Sequence, residues 1–241
     1  MESLKRNARI AGLLYPVMGI PAVFSYLYVQ QKLMVHGDAM ATAQRITGSA
    51  GLFRLGIASE LLSVIAFLFL GCALYRVFRE VDKGYAFLMV ILVAASVPLS
   101  FANVWNETAV LTLLQPTGFL SAASLQRESL AMMFLTLHMD GLRLAAIFWG
   151  LWLFPFGVLV MRSGFLPKIF GVLLILACLG WVADTVVWIL APQYSNAMDM
   201  AANVIGGFGE IPISLWLLVV GVSNRRNSTS RPLPAAASTG H

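Results

Sequence analysis

Six apolar runs, each long enough to cross a bilayer as a helix, occupy most of this chain: Ile10 to Val29, Leu52 to Tyr75, Tyr85 to Val110, Leu130 to Val160, Ile169 to Leu190 and Val204 to Val222. A hydrocarbon core about 30 Å thick takes about 20 predominantly apolar residues per helical crossing. The expected fold is therefore all-α, a polytopic transmembrane bundle of six spans. Composition agrees: 59% of the 241 residues are hydrophobic and 11% charged, against roughly 45–50% and about 25% in soluble domains. The spans leave no room for a separate soluble domain, so residues 1–222 read as one membrane domain. The polar stretch 223–241, "SNRRNSTSRPLPAAASTGH" from Ser223, reads as a disordered tail.

The opening "MESLKRNARIAGLLYPVMGIPAVFSYLYV" has a basic head and an apolar run, as a signal peptide does. Its run is too long and no clean small-residue cleavage site follows, so it reads as a retained first helix. Basic residues sort by side. Lys5, Arg6, Arg9, Arg76, Arg79, Lys83, Arg162, Lys168, Arg225, Arg226 and Arg231 fall at one end of the spans, and only Lys32, Arg45 and Arg127 at the other. The positive-inside rule then places both termini in the cytoplasm and the chain in the inner membrane. The same distribution accounts for the formal charge of +5 without a nucleic-acid partner. Cys72 and Cys178 lie in apolar runs, where cysteine behaves as a small hydrophobe, so neither a disulfide framework nor a thiolate metal site is implied.

Two connections on the less basic side, "HGDAMATAQRITGSAG" and "PTGFLSAASLQRES", carry helix-compatible interiors behind Asp or Ser starts and are expected to form short surface helices. Their opposite numbers, "REVDKG" and "RSGFLP", are tight turns. Pro155 should kink the fourth span, and the tryptophans of the later spans are packing residues first.

Charges inside the spans are the informative residues. Each costs roughly 2.5–3.5 kcal/mol at a lipid-exposed helix centre, so they must face inward. With the topology above, Arg54, Glu60, Asn103, Asn106, Glu107, His138, Asp140, Arg143, Asp184 and Glu210 all fall in the outer half of the bundle, while the inner halves carry no charge. An ion channel lined from face to face is disfavoured by that apolar half. Asp140 and Arg143, three apart, are placed to pair within one helix, whereas Arg54 and Glu60, six apart, need partners elsewhere.

The expectation is an outward-facing polar pocket for a small polar or amphipathic ligand, in a protein that senses or transports it by alternating access. Its other partner is the lipid bilayer itself. Glu60, Asp140, Asp184 and Glu210 would accept hydrogen bonds or protons, Arg54 and Arg143 would meet an anionic group, and His138 would titrate. His138 is the sole histidine within a span, which excludes a zinc site built on several histidines. No G-x-S-x-G, H-E-x-x-H or phosphate-binding loop occurs. No catalytic residue, metal ligand or cofactor is assigned. The alternatives are an intramembrane enzyme acting on lipid or another amphipathic substrate, and a membrane scaffold or assembly factor whose polar residues are interhelical glue.

The stretches "LFRLGIASELL", "ALYRVF", "GLWLFPFGVLVMRSGFLPKIFGVLLILACLGWVAD" and "EIPISLWLLVVGV" resemble the bacterial membrane family catalogued as domain of unknown function 4386, from about Ala8 to Val222. Its most specific piece here is the turn Arg162 to Pro167. Phe53 to Gly56, Asp184 and Glu210 match the family pattern, and Trp181 stands where a tyrosine is expected. The resemblance implies the six-helix membrane architecture and carries no reaction with it.

Overall fold

A computed structural model describes residues 2–115 and 124–222. The expected tail 223–241, and most of the expected surface helix in "PTGFLSAASLQRES", lie outside the described residues. The chain is a helical bundle with six helices long and apolar enough to cross a membrane. The first is α1 (Glu2–Val23), prolonged through Phe24–Val29 into α2 (Gln30–Leu33). A surface helix α3 (Ala39–Gly48) precedes α4 (Ala50–Phe78) and α5 (Lys83–Leu113). The fourth crossing is α6 (Ser124–Leu151) continued by α7 (Leu153–Ser163). The last two are α8 (Lys168–Leu190) and α9 (Ser195–Val219).

Local chemistry sets these limits. Asp38 accepts from the Ala41 amide at 2.8 Å and caps the start of α3, the surface helix expected in "HGDAMATAQRITGSAG". Asp82 accepts from the Gly84 and Tyr85 amides and caps α5. Its other oxygen takes a 2.6 Å bond from Arg162, tying the "REVDKG" turn to the "RSGFLP" turn. That second turn is made by Gly164, which ends α7 at a φ of 68°, a left-handed conformation costly for any residue with a Cβ. The helix break before Pro155 falls at Trp152, between α6 and α7.

Two boundaries differ from the hydropathy estimate. The final crossing starts at Pro192, not Val204, because the polar stretch from Ser195 continues as helix into the apolar run. The first extends from Ser3 to Leu33, and its Phe24–Val29 segment is π-helical: the Gln30 amide donates to the Ser25 carbonyl, five residues back. Such wide turns interrupt α-helices mostly where function needs an irregular backbone.

Two buried apolar clusters fill the bundle. The larger lies toward the end where α1 begins and α9 finishes, and centres on Trp152, whose ring stacks on Phe156 at 5.4 Å and meets Phe67 edge-on at 5.1 Å. The smaller lies toward the opposite end and joins Val29, Leu33, Ile46, Phe53, Ile57, Val110 and Leu135. The half foreseen from sequence as charge-free holds the larger cluster, with Glu210 beside it, and a second apolar cap lies beyond the other polar residues.

Helix α1 meets α9 at Gly12, where an added Cβ would stand 2.3 Å from the Leu218 backbone nitrogen. Backbone cannot rotate away, so Gly12→Ala should push the two helices apart and cost about 1–3 kcal/mol, the usual penalty of overpacking. Thermal unfolding of the detergent-solubilised protein should register this as a lowered midpoint. Gly19→Ala, whose Cβ would meet nothing within 4 Å, should leave the midpoint unmoved. Equal behaviour of the two variants would contradict the close approach.

Candidate functional site

Between the two apolar clusters, α4, α5 and α6 each turn one ionisable side chain toward a common point. Glu60, Glu107 and His138 are 0%, 3% and 1% exposed, and one ligand atom from each lies within 4.8 Å of the others. His138 Nε2 stands 3.4 Å from Glu60 Oε2 and 3.8 Å from Glu107 Oε1. One helical turn beyond each residue is a member of the smaller apolar cluster, Ile57, Val110 and Leu135. The centre is therefore sealed in this structure, not open to the outside as the sequence suggested.

The imidazole is held from its far side. Asn103 donates its Nδ2 to the His138 backbone carbonyl at 2.9 Å and stands 3.2 Å from His138 Nδ1. Asn106 donates to Asn103 Oδ1 at 3.1 Å, which fixes the orientation of that amide. His138 Nδ1 also lies 3.4 Å from the Asn103 carbonyl oxygen. With its proton on Nδ1, facing that carbonyl, the ring presents the Nε2 lone pair to the two carboxylates; with the proton on Nε2, it donates toward them. Asn103 serves either tautomer.

The first helix supplies a further group. Tyr26, in the π-helical turn, directs its hydroxyl toward the Glu60 and Glu107 carboxylates. Sequence reasoning passed over it because it carries no charge. The polar run Ser25, Tyr26, Tyr28 shortly after Pro21, inside a span, is the signal that was there to be used. Even so, both Glu60 oxygens, Glu107 Oε2 and His138 Nε2 lack a hydrogen bond of good geometry. Among the described residues, neither carboxylate has lysine or arginine among its interacting charges. Buried polar atoms of this kind are normally satisfied, so four together call for an explanation.

The ten residues expected to share one pocket divide. Glu60, Asn103, Asn106, Glu107 and His138 converge. Asp184, 4% exposed, belongs to a second group, with Asp199 and Arg143 as its charged neighbours. Arg143 lies with its guanidinium 5.5 Å from the Trp188 ring centre, and its backbone carbonyl accepts from Thr185. The expected ion pair between Asp140 and Arg143 does not form among the described residues, and Asp140 is half-buried outside the centre. Arg54, in the first turns of α4, is exposed, so it does not supply the expected cationic arm of a shared pocket. Glu210 lies apart from all of these, between α1 and α9 beside Tyr15; because the last crossing begins at Pro192, it falls in the half that holds the larger apolar cluster and not in the outer half where it was expected.

Chemically, two carboxylates and one imidazole form a donor set for a cation, without a basic residue that would admit an anion. The arrangement fits a borderline transition metal: two bonds of about 2.0–2.1 Å at a tetrahedral angle separate their donor atoms by about 3.3 Å, close to the 3.4 and 3.8 Å found from Nε2. The absence of sulfur donors at the centre and the presence of imidazole favour ions such as Zn²⁺ or Mn²⁺ over Cu⁺ or Ca²⁺.

Among known proteins, an uncharacterised protein of Archaeoglobus fulgidus is 33% identical over 88 residues, which are 36% of this chain and 50% of that protein. The matched stretch thus spans about half the length of that relative. No solved structure matches the chain. The model of the family described as "Domain of unknown function (DUF4386)" matches residues 10–221, and with nearly the whole membrane bundle covered, the chain belongs to that family.

Proposed function

We propose that this protein is a sensor or transporter of the bacterial inner membrane, with both termini cytoplasmic, and that the small polar ligand it takes is a divalent transition-metal ion bound by Glu60, Glu107 and His138. The observation that carries this is the set of four buried, unsatisfied donor atoms on three helices. Two carboxylates left charged and unpaired within the spans would cost roughly 5–7 kcal/mol on insertion scales. A dication held by one ligand atom from each of the three residues removes that cost.

Asn103 holds the imidazole as an outer partner does in established metal sites, and Tyr26 stands ready to donate to a metal-bound carboxylate. Closure of the site on both sides by apolar clusters corresponds to an occluded state, from which release requires Ile57, Val110 and Leu135 to part.

A second reading, intramembrane metal-assisted catalysis, is favoured by one feature. Three protein ligands leave a fourth position open, as catalytic zinc sites do.

Metal analysis of the purified full-length chain tests the central claim. After chelation and titration with Zn²⁺ or Mn²⁺, one ion per chain should bind to the wild type. The Glu60→Gln/Glu107→Gln double variant keeps the shape of both side chains and should bind at least about 100-fold more weakly, since loss of outer partners alone costs 10–100-fold. Equal stoichiometry and affinity in the two proteins would sink the assignment.

A further inference from the structure

Helices α1 and α9 touch at Gly12 and then separate toward the opposite end of the bundle. Two turns along, a Cβ on Gly19 would have no atom within 4 Å, and the gap is a lateral groove of about 430 Å³. Its volume is that of a small-molecule site, typically ~300–1,000 Å³. Ile20, Val23, Ile211 and Leu215 line it and are themselves 54–69% exposed on the outside of the bundle, so the groove opens sideways to the acyl chains. Within this apolar lining sits one acid, Glu210. The hydroxyl of Tyr15 is buried in a residue only 6% exposed, lacks a hydrogen-bond partner, and has Glu210 as its charged neighbour. Among the described residues, no lysine or arginine lines the groove.

We propose that this groove binds a single-chain amphiphile bearing a protonated primary amine, with the ammonium on Glu210 and Tyr15 and the chain along Ile20, Ile211 and Leu215. Charge complementarity selects the head group. When ionised, a carboxylate within the hydrocarbon needs a counter-charge, and the described lining supplies none. An ammonium has three N–H donors, which match the two Glu210 oxygens and the Tyr15 oxygen. A fatty alcohol offers one donor and no charge. A fatty acid would set a second anion against Glu210. Gly12 closes one end of the groove and Gly19 leaves room for the chain, so two glycines two turns apart on α1 shape it. The groove is separate from the Glu60, Glu107 and His138 centre, and its occupancy does not depend on metal.

The full-length protein in lipid nanodiscs should bind tritiated dodecylamine saturably, at one site per chain, in a scintillation proximity measurement. Excess dodecanol or dodecanoate should displace it at least 10-fold less effectively than unlabelled dodecylamine. Glu210→Gln should weaken binding at least 10-fold. Gly19→Leu, whose Cβ would meet nothing within 4 Å, extends a side chain into the groove and should block binding while Zn²⁺ uptake stays at the wild-type level. Absence of saturable binding to the wild type, displacement by dodecanol as effective as by the amine, or wild-type affinity in Gly19→Leu would each overturn the proposal. The Gly19 variant keeps the test decisive even if Glu210→Gln fails to fold.

Discussion

Replacement of His138 by alanine is expected to abolish stoichiometric binding of Zn²⁺, with affinity reduced at least about 100-fold. The imidazole is the nitrogen donor of the trio, and its Nε2 is the atom nearest to both carboxylates. Without it, Glu60 and Glu107 face each other across a void too small in donors to hold a borderline ion, and a two-carboxylate site selects harder cations. The effect has a second readout. An ion that binds the folded chain alone stabilises it by RT ln(1 + [L]/Kd), about 2.7 kcal/mol at a hundredfold excess over Kd. Zn²⁺ should therefore raise the unfolding temperature of the wild type and leave that of His138→Ala unmoved. A variant that keeps the zinc-dependent rise would show that the ion binds elsewhere. Mutual proton sharing among the three groups, without metal, would leave both proteins indifferent to Zn²⁺.

The second large effect is expected from a residue that touches no ion. Gly141 faces α5 so closely that an added Cβ would overlap Asn103, 2.6 Å from its Cγ. Gly141→Ala must therefore displace the amide that orients His138, or separate α5 from α6. Either outcome lowers metal affinity, by about 10–100-fold if the loss is that of an outer partner, and overpacking costs stability as well. Asn103→Ala separates the two consequences, since it removes the amide and the clash together. The double variant Gly141→Ala/Asn103→Ala should recover stability relative to Gly141→Ala alone while its affinity stays low. A cycle measured by thermal unfolding and by Zn²⁺ titration gives the coupling directly. Additive effects in both measurements would mean that the alanine methyl and the amide do not meet.

The stretch "HMDGLR" shows how far the sequence could be read. Its charges stood out, and burial of His138 follows from the cost of an ionisable group in lipid. What the periodicity of one helix could not disclose is that its glycine is the contact surface for Asn103. Nor could it show that Asp140 and Arg143, correctly spaced for a pair, would leave each other for the boundary of the bundle and a tryptophan face. Depth was legible for Glu60, Glu107 and His138, because successive spans run in alternate directions, but not for Glu210, whose span begins twelve residues earlier than hydropathy suggests. Azimuth was not, because rotation of each helix is set by packing against neighbours that are distant in sequence. So Glu210 ends in a lateral groove beside Tyr15, eleven residues before the Tyr26 that faces the centre and thus roughly 16 Å from it along the first helix, whereas Glu107 ends in the sealed centre. Of the ten polar residues, Glu60, Asn103, Asn106, Glu107 and His138 converge on one centre, and Arg54 is exposed.

Tyr26 depends on a different kind of information. From Phe24 to Val29 the chain winds with i to i+5 bonds and returns to α-helix at Gln30, where the Met34 amide donates to the Gln30 carbonyl. A π turn is equivalent to one extra residue spliced into an α-helix, and at about 100° per residue that splice offsets all that follows by roughly a quarter of a revolution. Lys32, Leu33 and the connection to α3 thus inherit their angular setting from six residues upstream. Excision of one residue after Tyr26, Leu27 or Tyr28, would turn the end of the helix as a key turns in a lock, without altering a side chain that the centre uses.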